Sequence, residues 1–243
     1  MNIRQMLTSN HQNCYLCHQN STELVCTYCH KNLIKVKFGL HSQSTSVPSD
    51  LLRSPIVLKN LETPNYDHLF SIDSYVWPLN QLVLDMKFGR KPIAAKVLAH
   101  LFTHFVIPAL CAEPLDSKNH SQPNSMPELL VPVPLASKRY WRREYNQAQL
   151  LCDNLSIKTG IPTKSILKRI RHTKAQTELD KEQRIDNVHN AFACLTKLNL
   201  KHIAVVDDVI TTGVTMNAVC EAISKVNPHV KISVWTMAVT LLD

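Results

Sequence analysis

An α/β domain, its parallel sheet flanked by helices and preceded by a small four-cysteine module, is the fold the sequence predicts. Three features point there. Ile203, Ala204, Val205 and Val206 form a β-branched and small apolar run, the composition of a strand buried on both faces. After a polar turn, Met216, Val219, Cys220, Ile223 and Val226 recur at helical spacing. Near the N-terminus, Cys14-x-x-Cys17 and Cys26-x-x-Cys29 stand eight residues apart.

The 243 residues hold one full domain plus a small module, and 44% hydrophobic content suits a packed core. Net charge is +8, which favours polyanionic partners. Met1 to Asn13 has no apolar segment and does not read as a secretory signal. Ile93 to Cys111 is broken by Lys96, His100, His104 and Pro108, so it reads as a buried helix and no membrane insertion is expected. Four further cysteines (Cys111, Cys152, Cys194, Cys220) are scattered, which together with the missing signal points to a reducing, cytoplasmic compartment.

In chain order, residues 1–40 are expected to form the cysteine module. Each Cys-x-x-Cys knuckle can aim two sulfurs at one metal, and two knuckles complete a tetrahedral thiolate site that suits Zn2+. So short a segment buries little core, and the metal would supply its folding energy. Redox pairs, or two fortuitous pairs, are the alternatives. With four thiolates present, His18 and His30 are expected in solvent. Residues 41–65 read as a linker rich in turn formers. Residues 66–243 form the main domain: Ile72–Trp77 reads as a strand, then Leu79, Leu82, Val83 and Met86 as a helix face. Lys87, Phe88 and Gly89 read as its end, with Lys87 a cation at the negative dipole end. A second helix begins near Pro92, burying Ile93, Val97, Leu98, Leu101, Phe102 and Phe105.

Residues 112–128 are a polar loop with three prolines. Leu129 to Pro134 is strand-like, and its prolines assign it to an edge or a strand end. A basic run follows, with Lys138, Arg139, Arg142 and Arg143 interleaved with Tyr140, Trp141 and Tyr145. Between residues 130 and 190 twelve Lys or Arg face six Asp or Glu, so most of the net charge lies there. Cations alternating with aromatics suit single-stranded nucleic acid, with Lys138, Arg139, Trp141, Arg142, Arg143 and Tyr145 as candidate contacts. A pyrophosphate pocket beside a solvated basic face explains the same charge. Ala148, Leu151, Cys152 and Leu155 mark the next helix, and residues 165–192 open with a short strand before a polar segment fit to act as a lid. Lys231–Val239 alternates as a further strand, placed beside Ile203–Val206.

The string Asp207, Asp208, Val209, Ile210, Thr211, Thr212, Gly213, Val214, Thr215 joins the strand to its helix. In open α/β sheets ligands bind at the carboxyl ends of strands, and a helix N-terminus offers N–H groups to a phosphate. Two carboxylates would repel a bare anion but accept hydrogen bonds from a ligand that also carries hydroxyls, as a ribose does. A solvated acidic turn with a threonine cap is the plainer reading. Glycine is scarce, four in the chain, against a usual ~7%, so Gly213 is not expected to be idle.

That string resembles the ligand-binding motif of type I phosphoribosyltransferases. Further blocks follow in order: the two knuckles, Lys87-Phe88, Val131 to Pro134 with Arg139, Arg143-x-Tyr145-Asn146-Gln147-Ala148, Arg169-x-Arg171-x-Thr173-x-x-Gln176, and Arg184-x-x-Asn187. Together they resemble the ComF family, a zinc finger fused to a type I phosphoribosyltransferase domain. The resemblance implies binding of 5-phosphoribosyl 1-pyrophosphate (PRPP) with Mg2+. Asp207 and Asp208 would hold the ribose hydroxyls, and Thr211, Thr212, Gly213 and Thr215 the 5-phosphate. Ala136, Ser137 and Lys138 would form the pyrophosphate loop, with Arg169 and Arg171 in a mobile hood. It also implies a role in natural competence, handling incoming single-stranded DNA, with a helicase or recombination mediator as candidate partner proteins. An active transferase of nucleotide or purine metabolism, its acceptor unidentified, is the alternative, and the resemblance leaves catalysis open. Any transfer would be a loose displacement of pyrophosphate, with Asp207 and Asp208 acting by positioning and charge. Glu144 stands where the family usually has glycine, and no further cysteine pair follows Cys29, so one structural zinc is expected.

Overall fold

The computed structural model describes residues 13–35, 50–111, 126–135, 145–170 and 191–241. The chain divides into two compact units, Met1–Ser42 and Gln43–Asp243. In the first, the Cys14–Cys17 knuckle precedes helix α1 (Thr27–Lys35), and the second knuckle spans its start, with Cys26 just before the helix and Cys29 in its first turn. No helix among the described residues is long and apolar enough to cross a membrane.

The larger unit is built on a four-stranded sheet, in the order β1 (His68–Ser74), β6 (Lys231–Val239), β5 (His202–Ile210) and β2 (Leu129–Pro132). All three pairings are parallel. The two central strands are buried almost throughout, which is why Ile203–Val206 reads as a continuous apolar run. Pro132 and its neighbours lie on an edge strand, where a missing N–H is tolerated. β1, the other edge, begins four residues before the expected Ile72 because His68 to Ser71 pair with Ser233 to Thr236. β5 runs on through both aspartates to Ile210, since β6 stays alongside as far as Val239.

Partners in a parallel register share a face. Phe70, Trp235 and Val206 therefore lie on one face. Trp235 is fully buried and meets Phe102 of α4 (Ile93–Phe105) with ring centroids 5.0 Å apart. The layer on this face includes α3 (Leu79–Lys87), which packs on α4. Helix α5 (Ile107–Cys111) continues from α4, and α6 (Gln147–Thr159) packs on α4, β2 and β5. α7 (Val214–Val226) joins β5 to β6 and packs against β4 (Phe192–Cys194), which pairs antiparallel with β3 (Leu167–Arg169).

Part of the expected linker is folded. Asp50 caps a 3-10 turn (Leu51–Arg53) by accepting from Leu52 N–H at 3.0 Å, and α2 (Pro55–Asn60) follows. Leu51 and Val57 are buried, and Asp50 also holds His68 Nδ1 at 2.8 Å.

Asp73, near the end of β1, is fully buried. One carboxylate oxygen accepts from the Ser74 N–H; the other has no partner among the described residues. Burial pushes this carboxyl up from 3.8 to about 6, opposed by the Ser74 N–H. The folded state thus binds the proton more tightly than the unfolded chain. Stability is lost as pH rises from about 4 to about 6, and the penalty is complete above that. Asp73→Asn is expected to raise stability at pH 7.5 by about 2–3 kcal/mol. Urea melts across pH should show that gain vanishing below about pH 4; an equal gain at every pH would contradict it.

Candidate functional site

The site lies at the carboxyl end of β5 and its turn into α7. Strand alternation separates the two acids. Asp207 is half-buried on the face it shares with Thr236 and Ser71. Asp208 is only 7% exposed and shares the other face with Val206 and Trp235, below the α3–α4 layer. Its N–H donates to Asp207 Oδ1 at 2.8 Å, so the backbone ties the first carboxylate in place.

A buried carboxylate needs a counter-charge. Lys87, the last residue of α3, places Nζ 2.7 Å from Asp208 Oδ1. Lys87 is therefore more than the helix-end cation its position alone suggests. The end of α3 is closed by backbone bonds, Phe88 N–H to Leu84 O at 2.8 Å and Gly89 N–H to the same oxygen at 3.3 Å.

Beyond Ile210 the chain turns through Thr211, exposed, and Thr212, half-buried, to Gly213 at φ +79°. Only glycine takes this left-handed backbone without strain. A Cβ here would stand 3.4 Å from Leu61 Cδ2 and 3.9 Å from the Tyr66 hydroxyl, so the turn rests closely on residues 61–66. Gly213 is the N-cap of α7 and has no side chain to cover the first N–H groups, the arrangement that receives a phosphate. Thr215 lies in the first turn of that helix.

The turn is braced by residues 62–65, which belong to the expected linker. Glu62 N–H donates to Thr212 O at 2.9 Å. Asn65 Nδ2 donates to Asn217 O at 2.9 Å, and Asn217 Nδ2 donates to Thr63 O at 3.1 Å. Nothing local in the sequence announces this, since the partners are some 150 residues apart.

Tyr145 donates its hydroxyl to Met86 O at 2.5 Å, one residue before Lys87. Asn146 caps α6 by accepting from Ala148 N–H at 3.1 Å, and its Nδ2 donates to Val133 O at 3.0 Å. The Tyr-Asn pair thus fixes the exit of β2 to the start of α6 and to the end of α3. Arg169 lies on β3 with its guanidinium 5.1 Å from the centroid of the Phe192 ring. Ala136, Ser137, Lys138, Arg139, Trp141, Arg142, Arg143 and Arg171 lie outside the described residues, as do Glu144, Thr173, Gln176, Arg184 and Asn187.

In the N-terminal unit, Cys14, Cys17, Cys26 and Cys29 bring their sulfurs within 4.8 Å of one another. Cys17 Sγ and Cys26 Sγ are 3.7 Å apart. A tetrahedron with Zn–S bonds of about 2.3 Å has edges of about 3.8 Å, so these four can hold one zinc ion. Burial would raise the Cys14 thiol, but N–H groups of Cys26, Cys17 and Leu16 more than offset it and bring it to about 6. Burial and its neighbouring sulfurs push Cys29 well above the ordinary thiol range. A bound cation relieves that conflict.

The family profile described as "Phosphoribosyl transferase domain" matches residues 148–239, the stretch from α6 to β6. The chain is 36% identical over 181 residues to competence protein F of Haemophilus influenzae, covering 73% of this chain and 75% of that protein. It is similar to the DNA utilization protein YhgH of Salmonella typhimurium, 34% identical over 179 residues, covering 73% and 74%. The YhgH protein of Escherichia coli K12 is 31% identical with the same coverage.

Proposed function

The chain belongs to the ComF family, and from that premise we propose that it binds PRPP with Mg2+ at the β5–α7 turn and handles incoming single-stranded DNA in the cytoplasm during natural transformation. The observation that carries the ligand is the sequence of parts at one strand end. A half-buried carboxylate, a left-handed glycine and an open helix N-terminus lie within seven residues, Asp207 to Gly213. Asp207 and Asp208 accept the ribose hydroxyls, while Thr211, Thr212, Gly213 and Thr215 receive the 5-phosphate. Mg2+ would come in on the pyrophosphate, held mainly by ligand oxygens and water. Lys138 with Ala136 and Ser137, and Arg169 with Arg171, are the proposed pyrophosphate contacts.

The DNA side of the proposal draws on the relatives' names, competence protein F and DNA utilization protein YhgH, and on the net charge of +8. Lys138, Arg139, Trp141, Arg142, Arg143 and the Tyr145 ring are the proposed contacts, by phosphate pairing and base stacking.

Calorimetry with PRPP and Mg2+ tests the ligand: saturable binding is expected, and no heat in the wild type would sink the proposal. Fluorescence anisotropy with a labelled single-stranded oligonucleotide tests the DNA. Binding should weaken steeply as salt rises, and a salt-independent affinity would contradict it. Pyrophosphate release from PRPP, with and without the oligonucleotide, separates a binding protein from an active transferase.

A further inference from the structure

The acidic pair carries two negative charges into a site proposed for a ligand that is itself strongly anionic. The fold meets that difficulty with Lys87. The side chains of Lys87 and Asp208 are 22% and 9% exposed and make a 2.7 Å contact, so solvent screens this pair far less than a surface pair. The lysine is also held from behind. Leu82, Val83 and Met86 of its helix are buried, and the Met86 carbonyl is fastened by the Tyr145 hydroxyl at 2.5 Å. By contrast, Lys91 of the next turn pairs with Asp85 at 3.2 Å and is 54% exposed. Lys87 is the better-buried cation, and it meets β5 at Asp208, three residues before Thr211.

We infer that Lys87 is a further ligand-positioning residue of this site: its ammonium offsets the Asp208 carboxylate and gives the entering pentose phosphate a fixed cation beside the acidic pair. This rests on the PRPP reading above. Lysine suits the task, being a compact point charge on a flexible stem whose donors can be shared between a carboxylate and a phosphate. Its partial exposure leaves a route for that sharing. In the free protein Lys87 neutralises Asp208; with ligand bound it spans carboxylate and phosphate oxygens. The bound metal then has less negative charge to neutralise.

The test compares four proteins, wild type, Lys87→Met, Asp208→Asn and the double variant, by PRPP calorimetry at several Mg2+ concentrations, with thermal melts as the folding control. Lys87→Met is expected to weaken PRPP binding by at least about thirtyfold and to raise the Mg2+ concentration needed for half-maximal binding. That single variant leaves a buried carboxylate unpaired, so the double variant, which removes both charges, covers the case where it folds poorly. If Lys87 only held Asp208 in place, removing it in the Asp208→Asn background would change nothing. The inference expects the double variant to bind at least about tenfold more weakly than Asp208→Asn alone. Equal affinity and equal Mg2+ dependence of those two, with a wild type that binds PRPP, would overturn the role of Lys87 alone. A wild type that does not bind PRPP overturns the underlying reading and this inference with it.

Discussion

Asp207→Asn is expected to lower PRPP affinity by about 10- to 150-fold while leaving the thermal midpoint nearly unchanged, and Asp208→Asn to lower the midpoint by several degrees. The asymmetry follows from strand geometry. Asp207 is half-buried, so on the proposed reading its exchange removes a charged acceptor worth about 1.5–3 kcal/mol for a ribose hydroxyl. Asp208 is 7% exposed and bonded to Lys87, so its exchange leaves an ammonium facing a neutral amide. Breaking a buried pair costs about 3–5 kcal/mol. The partial exposure of Lys87 reduces this to about 1–2 kcal/mol, which in a domain of this size moves the midpoint by roughly 2–8 °C. Calorimetry and thermal melts on the two single variants are sufficient. Equal loss of affinity and of midpoint in both would mean that the two carboxylates are equivalent, against the alternation of β5.

How much of this was legible in the sequence depended on range. β5, α7 and β6 are written in local composition, because a doubly buried strand needs apolar residues at every position and a helix needs them every three or four. The knuckles are legible for the same reason: metal geometry constrains spacing within four residues. The turn at Gly213 could be read because glycine is scarce in this chain and this one stands between a threonine pair and a helical repeat; it takes φ +79°. What could not be read were contacts made across the chain. Lys87 meets Asp208 over 121 positions, and on a helix's last turn its own sequence context gives only a capping cation. Asn65 and Asn217 hold the turn over 152 positions, with nothing in either neighbourhood to mark them. Asp73 ran against a rule: a polar residue in a strand is assigned to solvent, yet both faces of β1 are covered here and the carboxyl is buried. The strand-end placement of Asp207 and Asp208 missed by two residues because the strand's length is set by its neighbour β6, not by its own polarity.

Withdrawing metal from the N-terminal unit is expected to unfold it. α1 has nine residues, too short to be stable alone in water. Among residues 13–32 of the unit only Cys14, Val25 and Cys29 belong to the buried apolar set, and two of these are themselves candidate ligands. Beside a few backbone bonds such as Cys14 N–H to Gln19 O at 2.7 Å, two N–H groups are directed at sulfur: Cys26 N–H donates to Cys14 Sγ at 3.3 Å and Cys29 N–H to Cys26 Sγ at 3.4 Å. Bonds of that kind stabilise thiolates, which without a cation would repel one another across less than 5 Å. A structural zinc ion contributes an apparent 10–16 kcal/mol or so in modules of this size, far more than the apolar contacts can. Protein purified under reducing conditions should therefore carry one zinc per chain. Cys17→Ser or Cys26→Ser should lose it, and chelation should expose all four thiols to a thiol reagent while zinc restores their protection. Cobalt added to stripped protein should give the intense visible absorption of a tetrahedral thiolate site. Four thiols that remain protected after the metal is stripped would mean that the unit is held by packing alone, and the metal reading of the knuckles would fail.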